Sequence, residues 1–295
     1  MLDHAKIKAE AEKRGIPYEK MGRQLIWFDE FDSDKLDMEK WCFKRTMSGA
    51  DEEYDNSEKY CRVEDNKLHM QVFKSRLPDK SYALCEGVTT MDTMNFRYGY
   101  VEMCGKLPFR HGAWPSFWMK SNTPFAKADC MAEIDIFEVF SDDRHVVSNL
   151  HKWASGGRHV MLPGGEGSLK RAYAFEKFEN LNNEYHTYGF EWDEHWMSFY
   201  VDDEMYTRFP IDESGEFGEQ SIAGMSCFHD FAYIIFNNEI FTEGRQWKPE
   251  GKVLTDEDEM PIDYYIDYVR FYQNPEKEEV KFAAEIAAKK EENEK

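Results

Sequence analysis

The segment Met131–Phe140, MAEIDIFEVF, decides the fold of this chain. Three carboxylates, Glu133, Asp135 and Glu138, stand in a run that is otherwise apolar. Isoleucine, phenylalanine and valine favour a β-strand that turns one face to a core. Because successive side chains of a strand point to opposite faces, Glu133 and Asp135 share one face and Glu138 falls on the other. A one-residue β-bulge near Ile136–Phe137 would return Glu138 to the face of the other two acids.

A row of three carboxylates on one strand face has three interpretations. The bulge leaves Glu133 and Glu138 roughly 13 Å apart at their Cα atoms. Side chains that lean together bring the carboxyls to about 5–5.5 Å, the separation of the nucleophile and the acid/base in a retaining glycosidase. Repulsion among like charges then raises one pKa, as a general acid requires. The acids could instead bind Ca²⁺, which takes several carboxylates, or lie on a solvated face.

Outward from this strand, short runs of β-branched and aromatic residues alternate with glycine, proline, asparagine and aspartate. These runs predict strands at Gln24–Phe28, Lys67–Phe73, Tyr98–Leu107, Ser116–Met119, Ala132–Phe140, His186–Glu191, Met197–Val201, Tyr233–Ile240 and Tyr264–Tyr272. Helical periodicity is confined to the two ends of the chain. The pattern predicts an all-β sandwich with short terminal helices.

The chain contains no Pro- or Ser-rich linker and no internal repeat, which favours a single β domain. We predict an N-terminal helical extension over 1–24, a β-sandwich over 25–273 and a charged C-terminal helix or tail over 274–295. Alanine, lysine and glutamate dominate both terminal segments, and Gly15 and Pro17 end the first helix.

The composition of the chain limits the classes of molecule that it is expected to bind. The 295 residues carry a formal net charge of −21, which repels phosphate backbones and anionic membranes. Aromatic residues make up 16% of the chain. Most of them are expected in the core, and the remainder could line a binding cleft. We therefore expect a neutral or cationic ligand, no nucleic acid, no membrane and a monomer.

Two features bear on the compartment. The first residues, MLDHAKIKAEAEKRG, lack the apolar stretch of a secretory signal, so the chain as given is expected in the cytoplasm, or outside the cell if a signal has been removed. The six cysteines show no CxxC pair and no tight metal spacing. Without a signal, reduced thiols are favoured over three disulfides.

With its bulge, the ExDxxE pattern of the acidic strand resembles the active-site signature of glycoside hydrolase family 16, in its laminarinase, agarase and carrageenase types. Four other stretches resemble that family in the same order, and together they cover about Leu25 to Gln273. They are LIWFDEFDSDKLDMEKW (Leu25–Trp41), FRYGYVEMCGKLPFRHGAWPSFWM (Phe96–Met119), YHTYGFEWDEHWMSFYVDDE (Tyr185–Glu204) and YYIDYVRFYQ (Tyr264–Gln273).

The resemblance implies a jelly-roll β-sandwich of two antiparallel sheets, with a polysaccharide cleft on the concave one. Carried over by position, it makes Glu133 the nucleophile, Glu138 the acid/base and Asp135 the residue that assists the nucleophile. No cofactor is needed for that chemistry. The implied substrate-binding residues are Trp114, Trp118, His151, Trp153, Asn237 and Glu239.

Many members of the family also bind a structural Ca²⁺ on the convex side. The matching positions here are Glu30 and Asp267, so a structural calcium ion is an expectation of the resemblance. Asp267 could equally be a surface residue at the end of a strand.

Substrate choice stays open at this stage. The expected substrate is a β-1,3- or mixed-linkage β-1,3-1,4-glucan, as polysaccharide or oligosaccharide. The segment Ile234–Phe241, IIFNNEIF, departs from the laminarinase pattern and resembles the agarase and carrageenase side, which makes a β-galactan the alternative. Sulfated galactans would need cations, for which Arg97, Arg110 and Lys152 are the candidates. A non-catalytic carbohydrate-binding protein and a transglycosylase are further alternatives.

Overall fold

The computed structural model describes residues 3–43, 52–127, 130–154, 157–161, 171–176, 180–212, 225–277 and 279–294. In these ranges the chain forms two α-helices, α1 (His4–Arg14) and α2 (Ala283–Asn293), and 21 strands. The strands are β1 (Glu19–Lys20), β2 (Arg23–Asp29), β3 (Cys42–Phe43), β4 (Glu52–Tyr54), β5 (Cys61–Glu64), β6 (Lys67–Lys74), β7 (Tyr82–Leu84), β8 (Val88–Thr89), β9 (Met94–Phe96), β10 (Gly99–Lys106), β11 (Ala113–Ser121), β12 (Cys130–Glu138), β13 (His145–Ala154), β14 (Arg158–Met161), β15 (Ala172–Ala174), β16 (His186–Trp192), β17 (Trp196–Val201), β18 (Glu204–Pro210), β19 (Ala232–Ile240), β20 (Ile262–Gln273) and β21 (Val280–Phe282).

The strands form two sheets. The first, called the back sheet below, has the order β18-β17-β16-β10-β20-β6-β7-β4, and β1, β2 and β5 attach to its side. The second, called the cleft sheet, has the order β14-β13-β12-β11-β19-β8-β3, and β9, β15 and β21 attach to it. The described pairings are antiparallel, except that β4 and β7 run parallel. The predicted all-β sandwich is confirmed.

The inner faces of the two sheets share one core. Phe117, Phe137 and Phe236 of the cleft sheet and Tyr188 and Phe271 of the back sheet are buried in the same cluster. The rings of Phe137 and Tyr188 meet across the interface with centroids 4.5 Å apart. Because the odd and even residues of a strand face opposite ways, burying these aromatics turns their neighbours on the cleft sheet outward.

Both ends of the chain extend the sandwich beyond the predicted bounds 25–273. Strand β1 and the start of β2 lie before residue 25, and α1 buries Ala11 against the back sheet, beside Leu25 and Tyr100. At the other end, β21 pairs with β9 before α2 begins. The prediction of a helix or tail from 274 onward is therefore wrong at Val280–Phe282, where an apolar-polar-apolar triplet adds a strand.

In the part of the chain that the structure describes, no helix combines the length and the apolar character needed to cross a membrane. No disulfide joins the six cysteines, all of which lie among the described residues.

Candidate active site

The acidic strand β12 carries the predicted bulge. Asp135 pairs with Trp118 of β11, but Phe137 pairs with Phe117, so Ile136 is the extra residue. On the other side the register shifts between Asp135 and Glu138. Ile136 and Phe137 are both buried in the core. The bulge therefore brings Glu133, Asp135 and Glu138 to one outward face, as the sequence predicted.

That face forms the floor of a cleft of about 680 Å³. It is lined by alternate residues of β11, β12, β13 and β19 and by side chains from neighbouring loops. The lining contains all nine residues predicted for catalysis and sugar binding: Trp114, Trp118, Glu133, Asp135, Glu138, His151, Trp153, Asn237 and Glu239.

Glu138 is held by neutral groups. Trp114 Nε1 donates to its Oε1 at 2.9 Å, and Asn149 Nδ2 donates to its Oε2 at 3.1 Å. Burial raises the pKa of Glu138 to about 8, and the nearby charge of Asp135 adds to the rise. The Trp114 hydrogen bond opposes the rise, because it favours the ionised form. A raised pKa is what a general acid that works near neutral pH needs.

Asp135 lies between the two glutamates and is buried at 4% exposure. His151 Nε2 lies 3.0 Å from its Oδ2. Burial, followed by the charge of Glu133, raises the pKa of Asp135 well above its usual range. Asp135 is thus placed to share a proton with its neighbours rather than to add a full third charge.

Glu133 sits at the other end of the row. Trp153 Nε1 donates to its Oε2 at 2.8 Å. The Trp153 indole is covered on one face by His159 of β14, with ring centroids 3.8 Å apart, and His159 Nε2 lies 2.7 Å from His151 Nδ1. The stacked His159 therefore contacts both of the residues that hold Glu133 and Asp135.

Among the described residues, one group of three brings acid and histidine ligand atoms within 4.8 Å of one another: Glu133, Asp135 and His151. Each of these has a protein partner in the contacts above. The geometry suits proton exchange, and a divalent cation would have to compete with Trp153 and with the Asp135–His151 pair.

Aromatic side chains flank the acids on both sides. Beside Glu138, Trp114 stacks on Phe241 with centroids 4.8 Å apart, and exposed Trp247 lies 5.5 Å from Trp114. Trp118 is mostly buried, and its Nε1 donates to Asn237 Oδ1 at 2.7 Å. Of these two predicted substrate-binding residues, Trp114 therefore presents more surface to the cleft than Trp118.

Glu239 lies at the same end of the cleft and faces Trp114 across β11 and β19. Arg245 bonds to Glu239 Oε2 and also donates from Nε to Glu52 Oε1 at 3.1 Å. All three side chains are buried. Burial raises the pKa of Glu239 to about 7, against the opposing effect of the Arg245 charge.

Each of the two predicted calcium residues lies beside a cationic side chain. The Arg270 guanidinium donates to Glu30 Oε1 at 2.9 Å and to Oε2 at 2.8 Å, and Lys67 Nζ lies 3.7 Å from Asp267 Oδ1. An arginine that takes both oxygens of Glu30 leaves no carboxylate edge for a metal. These two residues therefore do not fit a calcium ion, and calcium binding stays a prediction for metal analysis.

The candidates for a sulfate-binding patch also lie elsewhere. Arg97 pairs with Glu279, Arg110 donates to backbone carbonyls of residues 259 and 261, and Lys152 is fully buried. None of the three lines the cleft. The expected patch is wrong because two of these side chains serve loop contacts and the third points into the core.

Sequence reasoning missed several lining residues. Asn149 could have been found, since it stands two positions before His151 and therefore shares its face. His159 also lines the cleft and carries no such signal, because the β13–β14 hairpin brings it in. The same holds for Arg245 and Glu52, which do not line the cleft but hold Glu239 from a loop and from β4.

Comparison with known proteins agrees with this geometry. The chain is 25% identical to glucan endo-1,3-beta-glucosidase A1 of Niallia circulans over 85% of its length, but it spans only 38% of that relative. It is 26% identical to the laminarinase catalytic domain of Thermotoga maritima, with a TM-score of 0.67 over 85% of this chain and 98% of that one.

Another solved structure, described with endo-acting O-glycanases that prominent members of the human gut microbiota express to initiate mucin breakdown, is 26% identical with a TM-score of 0.71. That likeness covers 88% of this chain and 94% of the other. The family model for glycosyl hydrolases family 16 matches residues 49–225, which include the bulged acidic strand and most of the cleft. The chain therefore belongs to glycosyl hydrolases family 16.

Proposed function

We propose that this protein is a retaining endo-glycoside hydrolase that cleaves a β-1,3- or mixed-linkage β-1,3-1,4-glucan. The observation that carries the proposal is the difference between Glu133 and Glu138 on one strand face. Glu138 is half-buried beside two neutral donors with its pKa raised to about 8, whereas Glu133 accepts an indole N–H at the other end of the row. Two carboxyls in unlike environments are what a double displacement requires.

The proposed reaction has two steps. Glu133 attacks the anomeric carbon, and Glu138 gives its proton to the leaving oxygen, so the glycosidic bond breaks as the glycosyl–Glu133 ester forms. Glu138, now ionised, then takes a proton from water, and that water hydrolyses the ester. Asp135 lies between the two, and its carboxyl interacts electrostatically with that of Glu133.

Endo cleavage is supported by the aromatic residues on both sides of the acids. Trp114 and Trp247 flank Glu138, and Trp153 flanks Glu133. Indole faces suit the apolar faces of pyranose rings. Sugar units can therefore bind on both sides of the bond that is cut, which is how an enzyme that cleaves within a chain holds its substrate.

A neutral glucan is supported by the named activity of the Niallia circulans relative and of the Thermotoga maritima laminarinase. Arg97, Arg110 and Lys152 lie away from the cleft, whereas Lys120 and Arg171 line it, so the positions of the cations do not decide against a charged sugar. A second candidate is an O-glycan, because the structure reported with mucin breakdown has the highest TM-score of the solved structures compared above.

The test is turnover of a substrate panel by the full chain: laminarin, mixed-linkage β-glucan, agarose, porphyran, carrageenan and mucin O-glycans. Release of oligosaccharides from either glucan, with the β-anomer as the first product, supports the proposal. Cleavage of mucin glycans or a galactan alone would replace the glucan with that substrate. Binding without turnover on the whole panel would leave a carbohydrate-binding protein.

A further inference from the structure

His159 of β14 lies in the cleft, one strand further from the acidic strand β12 than His151 and Trp153 of β13. In the register of the β13–β14 hairpin, His159 stands directly opposite Trp153, and His151 is its diagonal neighbour. On one face of an antiparallel pair, a ring can reach both the opposite and the diagonal side chain. The register therefore brings one imidazole of β14 against two side chains of β13.

Each of these two β13 side chains holds a different acid. Trp153 Nε1 donates to Glu133 Oε2 at 2.8 Å. His151 Nε2 lies 3.0 Å from Asp135 Oδ2. His159 covers the Trp153 indole with ring centroids 3.8 Å apart and planes 10° apart, and its Nε2 lies 2.7 Å from His151 Nδ1. A single imidazole thus contacts the partner of the proposed nucleophile and the partner of the acid beside it.

The contact with Trp153 restrains a side chain that is exposed to solvent. An exposed side chain changes rotamer within nanoseconds unless its neighbours exclude the alternatives. Turning the indole away from Glu133 would break its stacking on His159 as well as its hydrogen bond. Catalysis needs this restraint more than binding does, because a displacement of about 1 Å in a reacting group can cost a hundredfold in rate.

The contact with His151 serves both protonation states of Asp135. If His151 Nε2 carries the proton and donates to Asp135, Nδ1 is an acceptor and His159 must donate to it. If protonated Asp135 donates instead, Nδ1 carries the proton and His159 must accept. Loss of solvation, followed by the charge of His151, lowers the pKa of His159 against the opposing effect of Glu133. A neutral imidazole can donate or accept, so it can bond to His151 in both cases.

We propose that His159 is a positioning residue, which holds Trp153 on Glu133 by stacking and His151 on Asp135 by a hydrogen bond, rather than a residue that binds the sugar. This role rests on the proposed function for the parts that Glu133 and Asp135 play. It goes beyond that function because it gives the β13–β14 hairpin a part in catalysis.

Three substitutions separate the two contacts of His159. His159→Ala removes both. His159→Phe keeps a flat ring that can cover Trp153 but has no nitrogen for His151. His159→Gln has no ring but keeps an amide that can donate to His151 Nδ1 or accept from it. The matched control is Arg158→Ala, which changes the preceding residue of the same strand, whose side chain points to the opposite face and does not line the cleft.

The first measurement is the steady-state kinetics of laminarin cleavage. We expect His159→Ala to lower kcat by about tenfold to a hundredfold and to leave KM within about twofold, because it displaces reacting groups and removes no sugar contact. His159→Phe and His159→Gln should each recover part of the loss, since each restores one contact. Arg158→Ala should keep both constants within about twofold of the parent. Thermal unfolding of each variant establishes that it is folded.

The second measurement is nitrogen NMR of isotope-labelled protein, which needs no turnover. The Trp153 indole signal is identified by its loss in Trp153→Phe, and the imidazole signals of His151 by their loss in His151→Gln. His159→Ala should speed the exchange of the Trp153 indole proton with water by about tenfold, since a restraint on the indole is lost. It should also shift the His151 Nδ1 resonance. Arg158→Ala should change neither signal.

A KM that rises in His159→Ala while kcat holds would make His159 a sugar-binding residue and would overturn the inference. So would constants within twofold of the parent, or a loss that neither His159→Phe nor His159→Gln reduces. The proposed function survives each of these results if the parent cleaves laminarin, and the same kinetics apply to any other polysaccharide of the panel that it cleaves. If the parent cleaves none of them, the hydrolase proposal fails by itself. The NMR then decides the inference, which unchanged indole exchange and an unchanged His151 resonance overturn.

Discussion

The acids of the two sheets have different hydrogen-bond partners. On the back sheet, Glu30 pairs with Arg270, Glu102 with Lys20 and Glu191 with Arg23. On the cleft sheet, Glu138 and Glu133 receive their hydrogen bonds from indole and amide groups instead. The same residue type is thus used for structure on one face of the sandwich and is placed for chemistry on the other.

The difference lies in what each partner does to the proton. A cationic partner lowers the pKa of a carboxyl, because it stabilises the ionised form. A neutral donor lowers the pKa less, so loss of solvation can raise it and favour the protonated form. Glu138 follows the second rule, with its pKa at about 8. Glu239 lies between the two cases, since Arg245 only partly offsets burial and its pKa stands at about 7.

The largest effect should come from removing the proposed nucleophile. Glu133→Gln keeps the size of the side chain and its contact with Trp153 but cannot form the glycosyl ester, so we expect kcat/KM on laminarin to fall by about ten-thousandfold or more. Glu30→Gln, which removes a cation-held acid from the back sheet, should retain activity within about twofold. Reducing-end release measures both, and a Glu133→Gln protein with more than a hundredth of the parent activity would contradict the assignment.

The next effect concerns stability. Arg245→Met leaves Glu52 and Glu239 buried without their cation, and breaking such a pair costs about 3–5 kcal/mol in the free energy of unfolding. Arg270→Met removes the partner of Glu30, whose side chain is 20% exposed and reaches water, so its cost should be clearly smaller. Urea unfolding at pH 7 measures both. Equal losses of unfolding free energy would contradict the expectation that Glu52, Arg245 and Glu239 depend more on their ion pairs than Glu30 and Arg270 do.

The sequence predicted the residues that line the cleft better than it predicted the side chains that hold them in place. Alternation and the bulge put Glu133, Asp135 and Glu138 on one face because strand geometry is local, and the family resemblance supplied Trp114, Trp153 and Glu239. It could not reveal Arg245 on Glu239 or His159 on Trp153, since those contacts depend on how loops and a hairpin fold over the sheet. For the same reason the sequence did not reveal that Glu30, a predicted calcium residue, pairs with Arg270, which lies 240 positions away in the chain.

A smaller effect should appear in the pH profile. Glu138 is active as an acid while protonated, so kcat/KM should fall as pH rises through about 8. Trp114→Phe removes the hydrogen bond that favours the ionised form, so the pKa of Glu138 should rise and the alkaline limb should move to higher pH. Loss of the platform should also lower kcat/KM, by about tenfold.

Trp153→Phe is the matched control for that shift. It removes an indole N–H from the cleft too, but one that bonds to Glu133 rather than to Glu138. Its alkaline limb should stay where the parent's lies. Profiles of kcat/KM from pH 5 to 10 compare the three proteins, and an equal shift in both variants would assign the limb to some group other than Glu138.

The smallest expected effect is that of a chelator. Arg270 already supplies the positive charge at Glu30, and Lys67 lies beside Asp267, so removing divalent cations should leave the thermal midpoint within about 1 °C. The measurement is thermal unfolding with and without EDTA, together with metal analysis of protein purified without chelator. A stoichiometric calcium ion, or a midpoint that falls by several degrees and recovers with added calcium, would show that a cation site exists after all. Repeating the scan with Glu30→Gln would then tell whether that site uses the back-sheet acid, because a chelator effect that survives the substitution must come from other residues.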